Sequence, residues 1–345
     1  DNRLKGRAFS QLAVMRSHAD ILLSRLDIEE IFGEVDFPML VDKALDCCSN
    51  DALTLTECGR ILRFTNLESG TYLLERALDI KKHSTTYHQL GMCYERMAKI
   101  RAKKNVKMVP RPVEMREMTL GGSRGKNFDK NKTYWKQGSS SLYEATPRCQ
   151  KQRNCGNFMR SPAKEVHLWK DDDLVVKALD CYREAIKLSR EGNIPAIYSL
   201  GLLLRTCGEL DLALKQFNKI IHRMTDQNPV TEYSITLTSA YEQAGLCLLA
   251  LAKLPGRTDE EMQKLNEDAE TKLMDAVSLS ATLANLDPEM KSYEKQVGNA
   301  FKTLETKYEE IKDSPKGIKK HIELLMRVGQ YDRIPPVITK LRLLS

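Results

Sequence analysis

Apolar residues along the chain recur at intervals of three and four, in stretches separated by polar turns, which is the periodicity of helices with one buried face. The clearest stretch is IPAIYSLGLLLRTCGELDLALKQFNKII, residues 194–221. Ile197, Leu200, Gly201 and Leu204 share one face of a first helix. After a turn at Cys207 and Gly208, Ala213, Phe217 and Ile220 mark one face of a second. The pattern predicts a helical hairpin in which Gly201 lets the helices approach and Ala213 supplies the matching small contact. A glycine inside a helix costs about 1 kcal/mol relative to alanine, so its recurrence at equivalent places asks for a packing reason. Glycine recurs within such stretches at Gly59, Gly91, Gly201, Gly245 and Gly298.

The spacing of this unit, with alanine twelve residues after the glycine and phenylalanine four later, resembles the tetratricopeptide repeat. Other units follow with distortions. Gly59 and Leu62 pair with Gly70, Leu74 and Ala77, and Gly245 and Leu248 pair with Ala269, Leu273 and Ala276 across an enlarged loop. Gly298 and Phe301 open a further unit, and the opening stretch reads as a degenerate hairpin. The predicted fold is all-α: a tetratricopeptide-like solenoid of helical hairpins with a long basic insert inside one repeat. The expected division is N-terminal repeats over 1–100, the insert over 101–170, continuing repeats over 171–312 and capping helices over 313–345.

The insert is located by arithmetic. Tyr87, Leu90, Gly91 and Tyr94 form a first helix face, and the matching second helix, VVKALDCYREAIKLS, carries Ala178, Tyr182 and Ala185. Ala178 stands 84 positions after Tyr94, where the repeat spacing is nine, so 75 residues interrupt the hairpin. This arrangement, with His88, Gln89, Gly91, Cys93 and Tyr94 in an HQxGxCY pattern ahead of a lysine-rich insert, resembles the interferon-induced proteins with tetratricopeptide repeats, the IFIT family. The likeness covers roughly residues 50–250. It implies a positively charged pocket for RNA 5′ ends, with His88 and Gln89 at the nucleic acid. One hairpin earlier, ALTLTECGR offers no aromatic where that family uses one.

Charge is uneven. The chain of 345 residues has a net charge of +7, yet residues 101–170 hold 17 Lys and Arg against 5 Asp and Glu, so the rest sums to −5. That segment holds the candidate contacts Lys103, Lys104 and Trp135, and it mixes Lys and Arg with Tyr134 and Trp135 in Gly- and Ser-rich surroundings, the composition of either a solvated loop or an arm that neutralises phosphates and stacks on bases. The nine cysteines are odd in number, and Cys47, Cys93, Cys181, Cys207 and Cys247 sit in apolar helical patterns, as small core residues of a reducing, cytoplasmic compartment do. Cys149, Cys155 and His167 could be loop thiols with a bystander histidine or part of a zinc site; the former is the expectation, with no metal and no cofactor. No tract is expected to cross a bilayer, and no membrane partner is expected. The chain starts at Asp1 and reads as a piece of something larger. Absence of HExxH, GxSxG, CxxC and a phosphate-cradling glycine loop points away from an enzyme.

If the glycine faces pack inward, residues at −3, +1, +4 and +5 from each glycine face the concave side. Arg60, Arg63 and Phe64, His88, Met92, Glu95 and Arg96, and Tyr198, Leu202 and Arg205 fall there. Arg60, Arg63, Arg96 and Arg205 could then share one anionic ligand. Tyr198 could stack on a base or simply pack. Two readings follow. The first is a non-catalytic scaffold, part of a larger innate-immune protein, that takes a protein or peptide partner in the basic groove. The alternative is an IFIT-like antiviral binder of single-stranded RNA. The apolar C-terminal stretch PPVITKLRLLS would suit self-association.

Overall fold

The computed structural model describes residues 2–22, 37–108, 168, 170–225, 234–286, 291–311 and 314–344. Its helices are α1 (Asn2–Leu22), α2 (Phe37–Cys47), α3 (Ala52–Thr65), α4 (Leu67–Ile80), α5 (Ser84–Met108), α6 (Asp173–Leu188) and α7 (Ile194–Thr206). They continue as α8 (Leu210–Thr225), α9 (Ser234–Ala252), α10 (Asp259–Leu286), α11 (Lys291–Glu310), α12 (Pro315–Arg327) and α13 (Ile334–Leu344), with a 3-10 turn at Tyr331–Arg333 before the last. No strand occurs among the described residues.

Side-chain caps set several of the helix starts. Asp51 accepts from the Thr54 amide at the start of α3, Asp172 does the same for α6, and Asn193 for α7, where Pro195 follows in the first turn. Asn66 serves two helices: its amide donates to Leu62 to end α3, and its side chain accepts from Ser69 to begin α4. Gly208, at φ 82°, makes the turn between α7 and α8 that a side chain would strain.

Consecutive helices pack as hairpins, α1 with α2, α3 with α4, α5 with α6, α7 with α8, α9 with α10 and α11 with α12, and α13 folds back on α12. The first helices of successive hairpins also touch, so α3, α5, α7 and α9 form one row, the architecture of a tetratricopeptide-like solenoid. Buried residues form a central cluster from Leu74 to Cys247, one at α1–α4 and another at α10–α12. The glycines are seams. A Cβ placed on Gly201 would lie 2.8 Å from the Phe217 ring, one on Gly91 2.6 Å from the Tyr182 ring, and one on Gly59 or Gly245 2.7 Å from Leu74 or Leu273. Gly298 departs from the expectation: it is exposed, with nothing described within 4 Å of such a Cβ, and its hairpin closes instead through Phe301, Leu304 and Tyr308.

The interrupted hairpin is closed. Helices α5 and α6 pack along their length although most of the residues between Met108 and Asp173 lie outside the described set. The Tyr182 hydroxyl donates to Glu95 at 2.7 Å, the Ser84 hydroxyl donates to the Ala185 carbonyl at 2.7 Å, and Arg101 joins Asp172 and Asp173 at 2.5 and 2.6 Å. At 25 residues against 16, α5 outruns its partner.

One expectation is corrected. Ile235–Ala252 in α9 is long and apolar enough to cross a membrane, contrary to the sequence reading. That stretch is 61% buried between α8 and α10, as a core helix of the array is, so the apolar length is explained by packing on both sides.

Candidate functional site

Arg63 occupies the last turn of α3, where a cation suits the helix dipole. Its Nη1 donates to the Gln89 side-chain oxygen at 2.5 Å and lies 2.9 Å from the Met92 sulfur, both on α5. Its Cζ stands 4.5 Å from the centroid of the Phe64 ring. Arg96, one turn beyond Met92 on α5, donates to the Arg63 carbonyl at 2.7 Å and brings its own Cζ to 5.9 Å from the same ring. Two guanidiniums and an aromatic ring are thereby fixed together where α3 and α5 run side by side.

Within this cluster Arg63 is electrostatically unfinished. Burial, with the charges of Arg60 and Arg96 adding to it, holds the Arg63 pKa below the usual arginine value. Among the described residues no carboxylate pairs with Arg63. Arg60, one turn earlier, is satisfied by Glu57 at 2.9 Å. A half-buried cation without a counter-charge is costly, and a bound anion would repay that cost.

Neutral hydrogen-bonding groups border the cations. His88 is 8% exposed, 3.1 Å from the Ser199 hydroxyl of α7, with its ring 5.9 Å from that of Tyr182. Burial, and then the nearby Arg63 charge, pushes the His88 pKa down to about 4, so the imidazole is uncharged near neutrality. Gln89 is buried and turned toward Arg63. Thr56 and Thr86 share a hydrogen bond of 2.8 Å between α3 and α5. Glu95 accepts from the Tyr182 hydroxyl and pairs with Lys99, so this carboxylate is already engaged.

Of the residues expected to bind, the structure brings Arg63, Gln89 and Arg96 into one cluster, with His88 adjoining. Arg205 is half-buried on α7 and its charge bears on Cys247 of α9, further along the row. Tyr198 is half-buried and meets the Phe217 ring edge-on at 5.8 Å, a packing role. Lys103 is exposed on the overhang of α5. Lys104 lies in the same helix with its side chain outside the described set, and Trp135, Cys149, Cys155 and His167 lie outside the described residues altogether. Among the described residues no group of three metal-binding side chains occurs.

Ser199 was not singled out by the sequence, and Phe64 was assigned to the concave face without a binding role. Phe64 follows Arg63 directly and sits five places after Gly59, so its position on the concave face was readable; ALTLTECGR ends four residues short of it. Ser199 carries no signal of its own, because only the crossing of α5 and α7 brings it to His88.

No protein-family model matches the sequence, and no curated protein matches it. Among solved structures, a monomeric mutant of IFIT1 with Gppp-AAAA superposes with a TM-score of 0.55 at 14% identity, covering 99% of this chain and 55% of that one. The chain thus spans about half the length of that structure. At this identity the likeness carries the fold: the described chain is a tetratricopeptide-like helical solenoid resembling that of IFIT1.

Proposed function

We propose that this solenoid is a non-catalytic module that binds single-stranded RNA along the face formed by α3, α5 and α7. The supporting observation is the half-buried Arg63, held by Gln89 and Met92 with no described carboxylate beside it and with Arg96 locked to its carbonyl. An anionic ligand completes that arrangement. Phosphates suit it because two fixed guanidiniums offer several parallel donors. The IFIT1 structure that shares this fold was solved with Gppp-AAAA, which agrees in ligand class. His88 and Gln89 would supply neutral contacts beside the phosphates, in the positions that the HQxGxCY resemblance implies.

A second reading, an acidic peptide or protein segment, is favoured by the half-buried apolar residues Met92, Leu202, Leu246 and Leu249 at the corresponding positions of α5, α7 and α9. The two differ in salt response. Neutralising three phosphates of a single strand should weaken binding about 20-fold between 50 and 200 mM salt. An apolar-anchored peptide should respond far less. Electrophoretic shifts with short single-stranded RNA, wild type against the Arg63→Glu, Arg96→Glu double variant, test the proposal. No shift at low salt would retire RNA; an unchanged shift in the double variant would move the site off this face.

A further inference from the structure

Phe64 is 61% exposed, an unusual setting for a phenylalanine on a helix whose neighbours Ile61 and Leu62 are buried. Its ring is not loose in solvent: the Arg63 Cζ is 4.5 Å and the Arg96 Cζ 5.9 Å from its centroid. Both cations are themselves tethered, Arg63 by Gln89 and Met92 and Arg96 by the Arg63 carbonyl. The result is a π surface open to solvent and flanked by two fixed positive charges. A ligand that is only anionic uses the arginines and leaves the ring wet. A nucleotide uses both, since its phosphate and its base are joined through one sugar and so fall on neighbouring groups.

We propose that Phe64 is a nucleobase-stacking platform, holding the base of a nucleotide whose phosphate is bound by Arg63 and Arg96. This rests on the RNA reading above and deepens it. Stacking on an aromatic ring tolerates any base, and purines stack more strongly than pyrimidines, so the site should prefer oligoadenylate to oligouridylate without reading base edges. Phe64 carries no charge, so its contribution should be independent of salt, whereas that of Arg63 should not.

The test is a titration of the full chain with a fluorescently labelled adenosine hexanucleotide, its uridine counterpart and an abasic ribose-phosphate oligomer of the same length. Phe64→Leu should weaken adenosine oligomer binding about 5- to 100-fold, with the salt slope unchanged and abasic oligomer binding unchanged. Phe64→Trp should restore affinity, and the fluorescence of the introduced indole should be quenched as the adenosine oligomer is added. Because Phe64 is exposed, Phe64→Leu should unfold at the wild-type urea midpoint, which separates lost stacking from lost fold. If the wild-type chain binds RNA and Phe64→Leu binds it equally well, or weakens the abasic oligomer to the same degree, the platform is refuted and the groove stands. If the wild-type chain binds none of the three oligomers, groove and platform fall together.

Discussion

Gly91 and Gly298 occupy equivalent places in their repeats and have opposite surroundings. A methyl group at Gly91 would meet Tyr182 at 2.6 and 2.8 Å, and that ring is fully buried with its hydroxyl fixed on Glu95. Gly91→Ala is therefore expected to destabilise by about 1–2 kcal/mol, overpacking outweighing the helix propensity gained. Gly298→Ala should stabilise by about 0.5–1 kcal/mol. Urea midpoints of the two variants check both signs. His88 makes a prediction of a different kind. Its folded pKa of about 4 lies below the value near 6.5 of an unfolded histidine, so the unfolded chain takes up the proton first. That contribution is absent above pH 6.5 and grows as pH falls toward 4, costing up to about 3 kcal/mol of stability. In His88→Asn the midpoint should fall less steeply over that window; equal slopes would show that the imidazole is solvated. Much of the site was readable at this scale, because glycine offsets assigned Arg63 and Arg96 to one face. What offsets could not give was the state of each group: that Arg60 is paired by Glu57 while Arg63 is met by an amide and a sulfur depends on rotamers, which no spacing encodes.

Among the helices, α1 is tied to the start of α3 by a carboxylate in addition to its apolar packing. Asp51 caps α3 through Thr54 and accepts from Arg7 at 2.9 and 3.0 Å and from Arg3 at 2.8 Å, with its side chain nearly inaccessible. The hydrogen bonds from Arg7 above all hold its pKa far below the carboxylate range. Asn preserves a cap but not the charge, so Asp51→Asn should keep α3 while loosening α1. We expect a loss of about 1–3 kcal/mol and faster amide exchange confined to α1 and α2, read by hydrogen exchange mass spectrometry. The helices were legible because each buries one apolar stripe. Two features were not. Asp51 looks like a cap in the sequence, and nothing there reveals two arginines 44 and 48 residues earlier converging on it. The apolar run of α9 was underestimated because a helix covered by both neighbours loses the polar stripe that marks its partners.

Taken whole, the array is a chain of nearest-neighbour contacts in which one hairpin joins helices far apart in the sequence. Its repeat period made the solenoid predictable, and the 84-residue spacing made the distant partner of α5 predictable, since a Tyr94 face without a partner demands one further on. The closure of α5 on α6 has a consequence for how the polypeptide can be divided. Leu90, Cys93, Tyr94 and Ala98 meet Ala178, Cys181 and Tyr182 in one hydrophobic seam, and nothing in that seam requires a peptide link between its two sides. Fragments 1–108 and 168–345, made separately, should each expose half a repeat, aggregate or unfold alone, and combine on mixing into a one-to-one complex that co-elutes at the size of the parent. Nature's interruption would then be a ready-made point for a split reporter, with Gly91→Ala as the built-in means of weakening reassembly.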